Sequence, residues 1–191
     1  MNPDPILFTE GRLTFSFPPG WDALKYDEST FHKKHFQSFA GGSKAVDFVA
    51  FKPDELWLIE VKDYRARTRT KSPDLFEEIA RKVQATLAGL VAVKSESGSS
   101  GDTTTRDFSK RALRSFRRLR IAVHLEQSSK PSKLFPHVID PKNAHDELRK
   151  AVHAVDPRAI IGNAAFFNSR NLWAVAEVPS KAASKVTGNA R

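Results

Sequence analysis

The fold turns on residues 44–64. They read Lys44-Ala45-Val46-Asp47-Phe48-Val49-Ala50-Phe51, then Lys52-Pro53-Asp54-Glu55, then Leu56-Trp57-Leu58-Ile59-Glu60-Val61-Lys62-Asp63-Tyr64. The two apolar runs predict β-strands. The residues between them carry turn chemistry, including a proline with no N–H to give a ladder. So short a connection predicts an antiparallel hairpin. Centring the turn on Pro53-Asp54 sets Phe51 opposite Leu56, Val49 opposite Leu58 and Asp47 opposite Glu60. Side chains two apart share a face. One face then carries Ala45, Asp47, Val49 and Phe51 beside Leu56, Leu58, Glu60 and Lys62. The other carries Val46, Phe48 and Ala50 beside Trp57, Ile59 and Val61. Two apolar faces predict central strands covered on both sides.

Asp47, Glu60 and Lys62 break that pattern, clustered at one end of one face. Opposed carboxylates repel, and burial worsens the repulsion. Such a pair calls for a cation between them, and a hard divalent ion with oxygen ligands, Mg²⁺ or Mn²⁺, suits it. The backbone carbonyl of Val61 is a further candidate ligand. Lys62, one step along the same face, is positioned to aim its ammonium at a bound substrate. A carboxylate-held Mg²⁺ lowers the pKa of its water and polarises a phosphate oxygen. A nearby lysine can orient that water or neutralise developing charge. The competing explanation is a same-strand Glu60–Lys62 ion pair, with Asp47 capping a turn. Three charges converging on a covered face favour the metal site.

This hairpin resembles the core of the PD-(D/E)xK nuclease superfamily, through Asp47 at the end of one strand and Glu60-Val61-Lys62 on the next. The resemblance implies metal ligation by Asp47 and Glu60 and a catalytic role for Lys62. It implies an α/β fold, the restriction-endonuclease-like αβββαβ core, with a mixed central sheet flanked by helices. Residues 12–17 would supply the first of the three strands. Val46 stands where the family name has proline. Relatives often add a glutamate from the helix before the hairpin, and Glu28 is the leading candidate, with Asp27 and Glu10 behind it. Some carry a glutamine on the following helix, where Gln84 stands, but the tyrosine four residues on is Ala88 here. The implied activity is metal-dependent cleavage of phosphodiester bonds in DNA. The alternative is a nucleic-acid-binding or accessory protein of the same fold without turnover.

The surroundings extend this picture. A helix is expected from about Ser72 to Lys94, with Ser72 as cap, Pro73 in the first turn and a stripe of Leu75, Ile79, Val83, Leu87, Leu90 and Val91. Lys82 and Gln84 on it are candidates to point toward the site, although Lys82 reads first as a surface lysine. Tyr64 is a candidate to stack or bond near the metal, whereas Asp63 falls on the opposite face and suits a cap or salt bridge. Arg65, Arg67, Arg69 and Lys71 alternate just beyond and are candidates to track a phosphate backbone. Arg111, Arg114, Arg117 and Arg118 form either a second basic face or a solvated one on a helix at 107–118. Strands are expected at 12–17, 119–125 and 172–178, and helices at 21–39 and 143–155. The histidines show no ligand spacing and read as core-edge or surface residues.

Composition bounds the rest. The 191 residues suffice for one domain with a real core, expected over 1–179 with a flexible loop near 95–106 and a disordered tail at 180–191. There is no cysteine, so disulfides and thiolate metal sites are excluded. No apolar run approaches the ~20 residues of a transmembrane helix, and a cytoplasmic protein without membrane contact is expected. The net charge of +9 suits a polyanionic partner. Charge alone does not separate DNA, RNA and anionic lipid. DNA is the partner expected on the nuclease reading.

Overall fold

A computed structural model describes residues 3–65, 74–95, 102–114, 116–128 and 139–178. The strands are β1 (Ile6–Glu10), β2 (Leu13–Phe17), β3 (Asp22–Lys25), β4 (Phe48–Lys52), β5 (Asp54–Asp63), β6 (Phe116–Glu126), β7 (Ile160–Gly162) and β8 (Ala174–Glu177). The helices are α1 (Leu75–Ser95), α2 (Thr103–Ala112), α3 (Pro141–Val152) and α4 (Ala164–Ser169). A π-helical turn (His32–Phe36) and a 3-10 turn (Phe39–Gly41) lie between β3 and β4.

The hairpin forms in the expected register, with Val49 opposite Leu58 and Phe51 opposite Leu56. Asp54 closes its turn in the left-handed region at φ 64, a conformation aspartate tolerates better than most residues. The hairpin sits inside a five-stranded mixed sheet, ordered β3-β4-β5-β6-β7. β3, β4 and β5 run antiparallel, whereas β6 and β7 continue parallel to β5. Parallel neighbours need crossovers. α1 and α2 supply the first and α3 the second.

Both faces of the sheet are dry, as the doubly apolar hairpin demands. On one side Val49, Leu56 and Leu58 pack with Ile79 and Val83 of α1, Phe108 of α2 and Leu148 of α3. On the other, Phe48, Ala50, Trp57 and Ile59 pack with Phe15, Phe17, Trp173 and Phe167 of α4. Each large apolar side chain removed from water here contributes about 1.5–3 kcal/mol. Much of that second layer is a separate three-stranded sheet, ordered β1-β2-β8. Among the described residues, no helix is long and apolar enough to cross a membrane.

Several expectations need correction. Residues 12–17 are a strand, but β2 belongs to the small sheet, and β3 is the neighbour of β4. The helix expected over 21–39 is replaced by β3 and two short turns, because Trp21 and Ala23 pack into the aromatic layer at strand spacing. Val46 joins the helical face, since its N–H is taken by Thr86 Oγ1 of α1 at 3.0 Å, before strand alternation begins. Of the expected loop at 95–106, residues 103–106 belong to α2, whose N-cap Asp102 accepts from the Thr105 N–H at 2.9 Å, and 96–101 lie outside the described residues. The basic helix at 107–118 ends at Ala112, and Arg117 and Arg118 lie on β6, paired with Asp54 and Glu55. Ser72, Pro73 and residues 179–191 lie outside the described residues.

Candidate metal centre

Glu60 stands near the end of β5 with 1% of its surface exposed. Its Oε1 accepts from Lys62 Nζ at 2.8 Å and Lys82 Nζ at 2.6 Å, while Oε2 is buried with no hydrogen-bond partner among the described residues. Strand alternation puts Lys62 beside Glu60, and α1 brings Lys82 over both. Lys62 also reaches Glu78 Oε1 of α1 at 3.1 Å, which ties the helix to the strand. Burial pulls the Lys62 ammonium toward neutrality, but Glu60 and Glu78 outweigh it and hold the pKa above its ordinary value.

Asp47 sits one residue before β4, its side chain accepting from the Val61 N–H at 2.5 Å and its carbonyl from the Tyr26 N–H at 2.9 Å. These bonds place it at the Glu60 end of the hairpin, just beyond the ladder pairs. Burial, then the nearby Glu60 charge, push its pKa up to about 8, against the pull of Lys82 and the Val61 amide. Carboxylate oxygens of Glu10, Asp27 and Asp47 lie within 4.8 Å of one another. Glu10 ends β1 and Asp27 follows β3, so both sheets meet here. Asp27 Oδ1 is buried without a partner, and burial followed by the Glu10 charge raises its pKa to about 6. Lys25 holds one flank, bonded to Glu10 at 2.8 Å and Glu28 at 2.6 Å.

Lys62 and Lys82 both pair with Glu60, and the Glu60 charge acts on Asp47. Glu28 is not at the centre. Its side chain is 54% exposed and bound to Lys25, so Glu10 and Asp27 take the place expected of it. Val61 contributes its amide to Asp47. Gln84 is exposed and lines a groove on α1 rather than bonding to the carboxylates. Tyr64 packs against the helical core, its N–H donating to the Glu126 carbonyl at 2.8 Å. Arg65 is closed onto Asp63 and Glu177 and is not a free phosphate ligand. Arg67, Arg69 and Lys71 lie outside the described residues.

The donor set fits a hard divalent cation. Glu10, Asp27 and Asp47 offer only oxygen, Asp27 Oδ1 is buried with no hydrogen-bond partner among the described residues, and burial raises the pKa of both aspartates. Glu10, a candidate ranked behind Glu28 on sequence, reaches the centre because Ile6–Glu10 is a strand of the small sheet. The alternation Ile6, Phe8, Glu10, followed by Gly11 at φ 57, was the signal.

No family model matches this sequence, and no solved structure matches it. Among curated proteins, the chain is similar to the cysteine–tRNA ligase of Neisseria meningitidis serogroup A, with 34% identity over 71% of this chain. The match takes in 23% of that protein, so the chain spans less than a quarter of its length. This overturns the expected DNA nuclease and, with it, the PD-(D/E)xK hydrolase assignment. The named relative is a tRNA ligase. The Asp47, Glu60 and Lys62 geometry is a separate matter and stands on the contacts above.

Proposed function

We propose that this chain is a synthetase-related module that engages tRNA and carries a divalent metal centre. The observation that carries the reading is the 34% identity to part of a cysteine–tRNA ligase. Two features of the chain support it. A net charge of +9 favours a polyanion, and RNA is the polyanion that the relative's name points to. The second is a buried oxygen-donor cluster suited to Mg²⁺ or Mn²⁺, the ions that commonly accompany phosphates.

Glu10, Asp27 and Asp47 would hold the cation. When bound, the ion supplies a positive centre to which a phosphate oxygen can coordinate. The Val61 N–H orients Asp47, and Lys62 and Lys82 fix Glu60, whose charge acts on Asp47. Lys62 is in turn held by Glu78, so α1 positions the centre.

The test is a binding titration of the full chain with tRNA across a salt series. Saturable binding that weakens linearly on a log–log salt plot is expected, because neutralised phosphates release counterions. Failure to form a saturable complex at low salt overturns the proposal. Titration with Mn²⁺ alone, followed by thermal unfolding, tests the metal centre separately. No shift in melting temperature removes that part.

A further inference from the structure

A groove of about 610 Å³ runs between the segment at 36–44 and α1. Its size falls within the range of small-ligand sites. Phe36 and Phe39 line one wall, with ring centroids 4.9 Å apart. Phe36 is buried, whereas Phe39 is 57% exposed. An aromatic ring braced from behind and open to solvent presents a free face on which a planar group can stack.

The backbone holds this ring out deliberately. Ala40 takes φ 52, and Gly41 and Gly42 follow at φ 81 and φ 121. Nothing crowds a Cβ at either glycine, so it is the backbone conformation that requires them. Ser43 closes the turn, its N–H donating to the Gln37 carbonyl and its Oγ to the Phe39 carbonyl, both at 2.9 Å.

The charge around the ring is positive. Lys44 is exposed and lines the groove beside Arg81, whose one ion pair, to Glu77, is a solvent-exposed contact worth little. Lys33 and Lys34 are exposed on the preceding turn. At its inner end the groove is lined by Glu78 and Lys82, the residues that hold Lys62 and Glu60. An aromatic platform within a basic groove is the arrangement by which proteins take unpaired bases, stacking supplying energy and cations tracking the backbone.

We infer that this groove receives an unpaired RNA nucleotide, its base stacked on Phe39 and its phosphate between Lys44 and Arg81, beside the metal centre. The inference rests on the proposed engagement of tRNA and names which part of the RNA that site reads. Double-helical RNA presents no free base face, so the groove selects single-stranded ends or loops.

The experiment compares the full-length protein with Phe39→Ala and Phe39→Trp. The probes are tRNA, a blunt RNA duplex and a single-stranded RNA oligonucleotide carrying 2-aminopurine, whose fluorescence falls on stacking. Wild type should quench the probe and bind the single strand. Phe39→Ala should lose the quench and about tenfold in affinity, the scale of one stacked base. Phe39→Trp should restore both, and duplex binding should not change. Since Phe39 is exposed, circular dichroism of both variants should match wild type. Equal single-strand binding by all three proteins without quenching overturns the groove assignment and leaves the tRNA reading intact. Absence of binding to every RNA by wild type overturns both.

Discussion

Two carboxylates on β5, three residues apart, live under opposite conditions. Glu60 points to the helical face, where its charge acts on Asp47 of the carboxylate cluster, and Glu60 Oε2 and Asp27 Oδ1 have no hydrogen-bond partner among the described residues. Asp63 points to the other face and is answered in full. It accepts from the Arg65 Nε and N–H at 2.9 and 3.1 Å, and Arg12 approaches at 3.4 Å. Burial alone would raise the Asp63 pKa, but the Arg65 bonds dominate and take it down to about 2. Burial and the Glu60 charge take Asp47 the other way, to about 8. Residue type does not distinguish the sites, since both are acids near basic residues. The difference is whether the protein completes the charge balance itself or leaves it for a cation.

The sharpest way to break that contrast is Glu60→Ala. It strips the shared acceptor from Lys62 and Lys82, whose side chains are only 15% and 12% exposed. Removing one partner of a buried ion network costs about 3–5 kcal/mol. Chemical denaturation should show a loss of that order, and near-wild-type stability would mean that both lysines relax to solvent. Next comes the metal itself. Mn²⁺ at a hundredfold over its Kd should add about 2.7 kcal/mol to wild type. Asp47→Asn should abolish that gain while leaving the metal-free protein as stable or more so, since a buried carboxylate is removed and the Val61 N–H keeps an acceptor. An undiminished Mn²⁺ response in the variant would dismiss Asp47 as a ligand.

The pH dependence follows with its sign. Between the ordinary carboxylate value of 3.8 and about 8, folded Asp47 keeps a proton that the unfolded chain releases. Stability of the metal-free protein is therefore expected to fall as pH rises through that window, at up to about 1.4 kcal/mol per pH unit, and to level off above it. Metal displaces the proton, so Mn²⁺ should stabilise more at pH 8 than at pH 6. Thermal melts at both pH values, with and without Mn²⁺, measure this. A metal increment that is constant with pH would separate the proton from the cation site.

How far the sequence revealed these sites depended on the range of the contacts. The hairpin was legible because its alternation and turn are local, and its register followed from Pro53-Asp54. Asp47, Glu60 and Lys62 were legible as charges breaking an apolar pattern. Glu10 and Asp27 were legible only as alternatives behind Glu28, since they reach the centre through sheet pairings decided by long-range packing of Phe15, Phe17 and Trp173. Residues 21–39 misled for a related reason. Their aromatics recur at rough helical spacing, yet Trp21 and Ala23 are held in the aromatic layer and Tyr26 crosses to the helical core. Lys82 was visible on α1, but only the crossover above β5 decided that it faces Glu60 rather than solvent. Activity was least legible of all, because a constellation of acids and a lysine describes a cation site before it describes a reaction.

The smallest effect tests the other half of the comparison. Asp63→Asn removes a charge that Arg65 and Arg12 already satisfy. The pair is partly exposed, so screening limits the loss to about 1 kcal/mol. Its pH signature runs opposite to that of Asp47. A depressed carboxylate stabilises the fold above the unfolded value of 3.8 and loses that contribution as pH falls toward about 2. Wild type and Asp63→Asn should therefore converge in stability as the medium is acidified through this window, in acid denaturation followed by circular dichroism. Mn²⁺ should stabilise both equally at neutral pH, because Asp63 sits on the face away from the cluster. If Asp63→Asn instead blunted the Mn²⁺ response, the two faces of β5 would be coupled, and the contrast between a closed charge pair and an open cation site would fail.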